Sequence, residues 1–336
     1  MMGADKLHTL QSLKQCLEED FYHHFYERHY TWLRELVLSK VRSGSDVREV
    51  LMFLGPARVG KTRILDALNR EFGETRHSGS GRSKDLVYVR VPEGGAAGSI
   101  LTAVLRAMGE PYQAATKLDE LRNRVRQRFL STGIKVAIFD EIQHTVEEGR
   151  KTAVRAASDF IKGLIEENPQ VTFIFSGIPL AARLREENPQ LRGRCDKPAY
   201  FLPYCWQDAH ERECFASGAL AVYQTVAGAM ENRQVDAIRF IQACYLLGGG
   251  TFGFVLNFVR SLANALEQDS QAIYLKQEHL ASAFDKNSRD TDYYVNPFAT
   301  VDQISEEMLI QAWRVVMHEH GLQRYISPGL LVGGKA

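Results

Sequence analysis

The chain has 336 residues, 45% hydrophobic and 24% charged, the balance of a globular protein able to bury a core of its own. Its 41 basic and 41 acidic residues cancel, which excludes attraction to nucleic acid by overall charge and leaves that task to a local basic surface. Cys16, Cys195, Cys205, Cys214 and Cys244 form neither a CxxC pair nor a Cys/His ligand set, no apolar run nears the ~18–20 residues a bilayer requires, and no signal-peptide pattern opens the chain. These observations point to a reduced, cytoplasmic setting.

Residues 1–45 read as helical and aromatic, and Phe21, Phe25, Trp32 and Leu36 fit one helical face. Core packing is the plain reading, and an adenine-lining role for part of residues 28–32 is the alternative. His23 and His24 are adjacent, so on a helix they do not face one ligand and read as surface.

Residues 50–54 are a short apolar run, followed by Gly55, Pro56, Ala57, Arg58, Val59, Gly60, Lys61, Thr62 and Arg63 and then by an apolar helical pattern. This is a phosphate-binding loop with a strand before it and a helix after it. Glycines let successive N–H groups turn toward phosphate oxygens, and the helix start adds partial positive charge. Lys61 is expected to reach the β/γ-phosphates, and the Thr62 hydroxyl to hold Mg²⁺. A Gly-rich turn with a solvated lysine is the competing reading.

Residues 73–84 read as a surface loop, 86–91 (LVYVRV) as a buried or half-buried strand, and 92–98 (PEGGAAG) as a flexible turn. Residues 99–108 read as a helix with Ser99 as N-cap. In 118–130, Leu118, Leu121, Val125 and Phe129 make an apolar stripe, while Lys117, Arg122, Arg124, Arg126 and Arg128 face only Asp119 and Glu120. Either this is a solvated basic face, or its cations, Lys117, Arg122 and Arg126 among them, contact a phosphate backbone.

Residues 136–141 (VAIFDE) place two carboxylates at the carboxyl end of a buried strand, where open α/β sheets bind ligands. Asp140 is expected to hold Mg²⁺ with Thr62, and Glu141 to orient and polarise the attacking water. A helix over 151–167 ends at Asn168-Pro169. A strand over 171–176 (VTFIFS) then brings the Ser176 hydroxyl to the same edge, as a phosphate contact or as a turn-forming serine. Arg183, Arg185, Arg192 and Arg194 follow, either as surface charge or as guanidinium groups for phosphate on a neighbouring subunit. Residues 199–203 add a short strand. Helices are expected over 208–230, 235–247, 254–266 and 277–284, then a polar irregular stretch to 302, a helix over 303–320 and a loose end at 327–336.

Strand, phosphate loop, helix, strand, strand ending in Asp-Glu, strand ending in Ser, arginines and a helical region is the layout of AAA+ ATPases. The stretches VYVRVPEGG, ILTAVLRAMGEPY, VAIFDEIQH, FIFSGIPLAARLREENPQLRGR and YFLPYCW resemble the TniB/TnsC ATPases of bacterial transposons over roughly residues 20–285. The resemblance implies an α/β AAA+ P-loop core with a parallel sheet, followed by a small helical lid. The expected segments are a helical 1–45, a core at 46–204, a lid at 205–285 and a tail at 286–336. It further implies ATP with Mg²⁺ and a bacterial cytoplasm. The implied partners are double-stranded DNA, further copies in a ring or helical filament, a transposase and a TniQ-type target selector. Ser176 stands at the sensor-1 position and Arg194 at the arginine finger, with Arg192 as the second candidate. Two departures stand out. Phe254 follows Gly253 where many relatives carry a sensor-2 arginine, with Arg260 a substitute, and the turn at 93–98 lacks a basic residue for DNA.

Three functions remain open at this stage. One is an ATP-dependent, DNA-bound regulator that couples target selection to a transposase. The second is a nucleotide-switched scaffolding ATPase without DNA, and the third a small-molecule kinase.

Overall fold

The computed structural model describes residues 2–18, 27–43, 49–78, 81–110, 117–146, 151–230, 235–288, 295–300 and 303–326. Phe21, Phe25, the His23-His24 pair and the 327–336 end lie outside the described residues. Two compact units emerge, an α/β unit of residues 28–57 and 61–201 and a helical unit of 1–27, 58–60 and 202–336.

The α/β unit is built on apolar strands, and the three central ones are buried on both faces, as a parallel sheet covered by helices requires. The strands are β1 (Val50–Leu54), β4 (Leu86–Arg90), β5 (Val136–Asp140), β6 (Thr172–Gly177) and β7 (Ala199–Tyr200), in the order β4-β5-β6-β1-β7. All of their pairings are parallel. Phe139, Phe173 and Phe175 pack on one another with centroids 5.5–6.2 Å apart, joining β5 to β6 through side chains as well as ladder bonds. Between the phosphate-loop helix and β4, the expected loop is an antiparallel hairpin instead, β2 (Arg76–Ser78) with β3 (Gly81–Ser83). Its polar sequence has no apolar alternation from which a strand could be read.

Other expectations shift with packing. The helix Glu27–Ser43 buries Leu33 and Val37 while Trp32 stays 42% exposed, so its inward face is one residue displaced from Trp32–Leu36. In the helix Leu118–Thr132, Leu121, Val125 and Phe129 are buried but Leu118, in the first turn, is exposed. The helix at Ala97–Ala107 starts two residues before Ser99, with Ala96 as N-cap and no side-chain cap bond. The short strand after the arginines covers only Ala199–Tyr200, which pair with Phe53 and Leu54 where β1 ends.

In the helical unit, Asp208, Asp236 and Ser305 cap Ala209–Gly228, Ala237–Gly248 and Glu306–Glu319 by accepting backbone N–H bonds. Phe252–Gln268 and Gln277–Asn287 complete the C-terminal set. Gly249 has φ of +53°, and a Cβ there would fall 2.4 Å from the Ala312 carbonyl oxygen, so this bend between helices requires glycine. The N-terminal helix Met2–Glu18 belongs to this unit, where it buries Leu10, Leu13 and Cys16 and Lys6 Nζ donates to the Asp269 carbonyl at 2.6 Å. The stretch expected to be irregular before residue 302 is anchored: Phe298 is buried 5.7 Å from the Phe258 ring, and Arg239 donates to the Pro297 carbonyl at 2.7 Å. Among the described residues, no single helix is long and apolar enough to cross a membrane.

Candidate nucleotide site

The site forms where β1, β5 and β6 end. Gly55 leaves β1 beside Phe201, and a Cβ at Gly55 would lie 2.3 Å from the Phe201 carbonyl oxygen, so the loop can start only with glycine. Arg58 and Gly60 adopt positive φ of 63° and 110°, turning the backbone before the helix begins at Lys61. Lys61 is 7% exposed, and its Nζ donates to the carbonyls of Gly55 and Pro56, both at 2.8 Å. Burial draws its pKa down to about 8, against the opposing pull of Asp140 and Glu141.

Asp140, at the end of β5, is buried. Its Oδ2 accepts from Thr62 Oγ1 at 2.8 Å and from the Tyr88 hydroxyl at 3.0 Å, and its Oδ1 from the Glu141 N–H at 3.0 Å. The structure therefore brings together the two residues expected to hold the metal, seventy-eight positions apart in the chain. Glu141 sits at φ +60°, a left-handed conformation uncommon for a residue with a side chain and one that concentrates at functional sites. Ser176 is buried on β6 opposite Phe53, and its Oγ has no hydrogen-bond partner among the described residues. A buried hydroxyl without a partner costs free energy, and an acceptor such as a phosphate oxygen would satisfy it. Lys61, the Thr62–Asp140 pair and the orphaned Ser176 hydroxyl together fit a Mg²⁺–triphosphate.

Three groups escaped the sequence reading. Gln143 is buried, donates its amide to the Glu141 carboxylate, and accepts the Ile178 N–H on Oε1 at 3.2 Å. Tyr88, in the middle of β4, reaches Asp140. Burial and then the Asp140 charge push its hydroxyl far above the ordinary tyrosine range, so it stays a donor. Asp66, one turn after Thr62, has its carboxyl raised by burial and then by Asp140. Only the i, i+4 spacing of Thr62 and Asp66 was visible in sequence.

Around the loop, His29 lies 4.3 Å from Phe201, Phe53 lies 5.7 Å from Phe201, and Trp32 lies 6.5 Å from Phe53. Within the helical unit, the Arg58 guanidinium stands 5.5 Å from the centroid of Phe254, and the Gly253 N–H donates to the Arg58 carbonyl at 2.9 Å. Arg260 is exposed and bonded to Asn257.

A family model of the bacterial TniB protein matches residues 16–201 of this chain. The chain belongs to the TniB family. No curated protein matches the sequence. Among solved structures, this TniB protein is similar to Cdc6p from Pyrobaculum aerophilum, with a TM-score of 0.55 at 13% identity over 88% of this chain and 80% of that one. It is also similar to ORC2 from Aeropyrum pernix in ADPNP–ADP complexes, with a TM-score of 0.56 at 13% identity over 86% and 79%. A third likeness is to Aeropyrum pernix ORC1 in complex with DNA, with a TM-score of 0.53 at 17% identity over 77% and 64%. The shared feature is the AAA+ fold, a P-loop core with a parallel sheet and a C-terminal helical region.

The arginines and the basic helix of this TniB protein sit away from the phosphate loop in sequence and carry mixed partners. Arg194 is ion-paired with Glu166, and one of its amino groups donates to the Gln190 carbonyl at 3.3 Å. Arg192 is exposed and has no ion pair among the described residues. Arg122 is paired with Glu167 at 3.3 Å and lies over Phe160, whereas Lys117 and Arg126 are exposed without ion pairs among the described residues. Arg124 and Arg128 share Glu110.

Proposed function

We propose that this protein is an ATPase that assembles on double-stranded DNA and couples target-site selection to a transposase. Membership of the TniB family carries the reading, and the Lys61–Thr62–Asp140–Glu141 constellation supports its ATPase half. The phosphate loop and Lys61 hold the triphosphate, and Thr62 and Asp140 hold Mg²⁺, which neutralises phosphate charge when bound. Glu141, held by Gln143, orients water and takes its proton on the carboxylate. Ser176 donates to the phosphate or to that water. The aromatic group of His29, Trp32 and Phe53 beside Phe201 offers a wall for adenine.

In the assembled state Arg194, or Arg192 beside it, reaches the nucleotide of a neighbouring copy, so ATP favours the ring or filament and hydrolysis releases it. The Arg194–Glu166 pair is half-exposed, and such pairs contribute only ~0–1 kcal/mol, so Arg194 can leave Glu166 at small cost. A transposase and a TniQ-type selector are the expected protein partners.

The test is an electrophoretic shift of duplex DNA with and without ATP over a salt series. Binding should require ATP, weaken steeply with salt and vanish in Lys61→Ala. Glu141→Gln should bind ATP, hydrolyse it poorly and prolong the assembly. A shift indifferent to ATP and to Lys61→Ala would overturn the reading. The internal pairing of Arg122 and Arg124 favours the second reading, a nucleotide-switched scaffold without DNA, and unshifted duplex with ATP turnover intact would establish it.

A further inference from the structure

At the amino-terminal edge of the sheet, opposite the nucleotide edge, lies a cavity of about 360 Å³ within the α/β unit. It is bounded by the β2–β3 hairpin, the end of helix Ala97–Ala107 and the end of helix Leu118–Thr132. Its lining includes His77, Arg82, Lys84, Arg106 and Arg128 and, among the described residues, no carboxylate. His77 and Arg82 are cross-strand partners and both exposed, so they stand at the mouth, whereas Lys84 and Arg128 are partly buried.

A plain explanation is that these cations cap a helix. Lys84 Nζ and an Arg128 amino group do donate to the carbonyls of Ala107 and Met108, but each at 3.4 Å, the long end of the range. A helix end carries only about half a negative charge. Glu110, 3.5 Å from Arg128 Nε, is shared with Arg124, and Asp85 is bound to Arg76. Arg82, Lys84 and Arg128 therefore leave an excess of about two positive charges after these partners are counted. Arg128 Nε is buried and reaches only the Glu110 it shares with Arg124, at 3.5 Å and without hydrogen-bond geometry, and burial lowers the Lys84 pKa. Both groups would gain from an anion.

The chemistry of the lining selects among anions. No aromatic ring other than His77 is present to stack a base, and Met108 and Ala107 are the main apolar surfaces, so the cavity suits phosphate and offers no base-reading platform. We propose that this cavity is a second phosphate site, separate from the nucleotide site, that holds backbone phosphates of duplex DNA through Arg82, Lys84 and Arg128. The assignment to DNA rests on the function proposed above. It moves the main backbone contact from the face of Lys117, Arg122 and Arg126 to the opposite edge from the nucleotide.

The experiment measures duplex affinity of the ATP-bound full chain across salt for wild type, Arg82→Ala/Lys84→Ala, and the single charge reversal Arg82→Glu. The single variant alters an exposed side chain and keeps the test valid if the double variant is unstable. Each lost phosphate contact should make the slope of log affinity against log salt shallower by about one, with affinity falling about tenfold or more and DNA-free ATP turnover unchanged. Duplex binding with unchanged affinity and slope in both variants would overturn the site while leaving the DNA reading intact. If wild type binds no duplex, the functional reading fails, and the cavity is judged by thermal stabilisation with inorganic pyrophosphate at saturating nucleotide. Stabilisation lost in Arg82→Glu would support a phosphate site fed by a soluble source, and none in wild type would overturn it.

Discussion

Lys61 enters the buried floor of the phosphate loop as a cation whose charged form is disfavoured there, with a pKa of about 8 against an ordinary 10.5. Below pH 8 it is charged and the burial cost is present in full, and that cost fades as pH rises from about 8 to 10.5. A bound triphosphate holds the ammonium charged and raises its pKa, so ATP binding near pH 8–9 should take up a fraction of a proton. Calorimetry in buffers of different ionisation enthalpy should show that uptake, and Lys61→Met should abolish it. Gln143 permits a second test at this scale. Its amide ties Glu141 to the Ile178 N–H, so Gln143→Ala should lower kcat by about tenfold with KM for ATP little changed. Gln143→Glu keeps an acceptor for Ile178 but sets a like charge against Glu141, and should move the acidic limb of the pH–rate profile upward. An unmoved profile would reduce Gln143 to packing.

At the scale of elements, the helix Leu118–Thr132 separates what periodicity sees from what packing uses. Leu121, Val125 and Phe129 repeat at helical spacing and are buried, while Leu118 has the same spacing and stays 41% exposed because it sits in the first turn. Phe129→Ala should cost about 3–5 kcal/mol of stability, and Leu118→Ala within about 0.5 kcal/mol, measured by urea unfolding. The short β2–β3 hairpin was invisible in sequence for the complementary reason. Its residues are polar, and His77 and Arg82, opposite each other across it, are both exposed, so it shows no apolar face that periodicity could detect.

For the whole molecule, the proposed assembly places a guanidinium from a second copy at the nucleotide. Arg194→Ala should leave ATP binding intact and remove ATP-dependent assembly seen by analytical ultracentrifugation, whereas Glu166→Gln, which only frees Arg194, should not. Assembly undiminished in both Arg194→Ala and Arg192→Ala would remove the finger from these positions.

The sequence alone sufficed for the strand–loop–helix around Lys61, the carboxylates ending β5 and the resemblance to the TniB family, because short-range patterns of apolar runs, glycines and charges encode local geometry. Tertiary structure decided which distant groups meet. Thr62 and Tyr88 both reach Asp140, Gln143 bridges Glu141 to Ile178, and the basic cavity draws on the hairpin and the ends of two helices. It also decided that Arg122 and Arg124 spend charge on Glu167 and Glu110, since a one-dimensional tally of cations cannot tell which carboxylates the fold will set beside them.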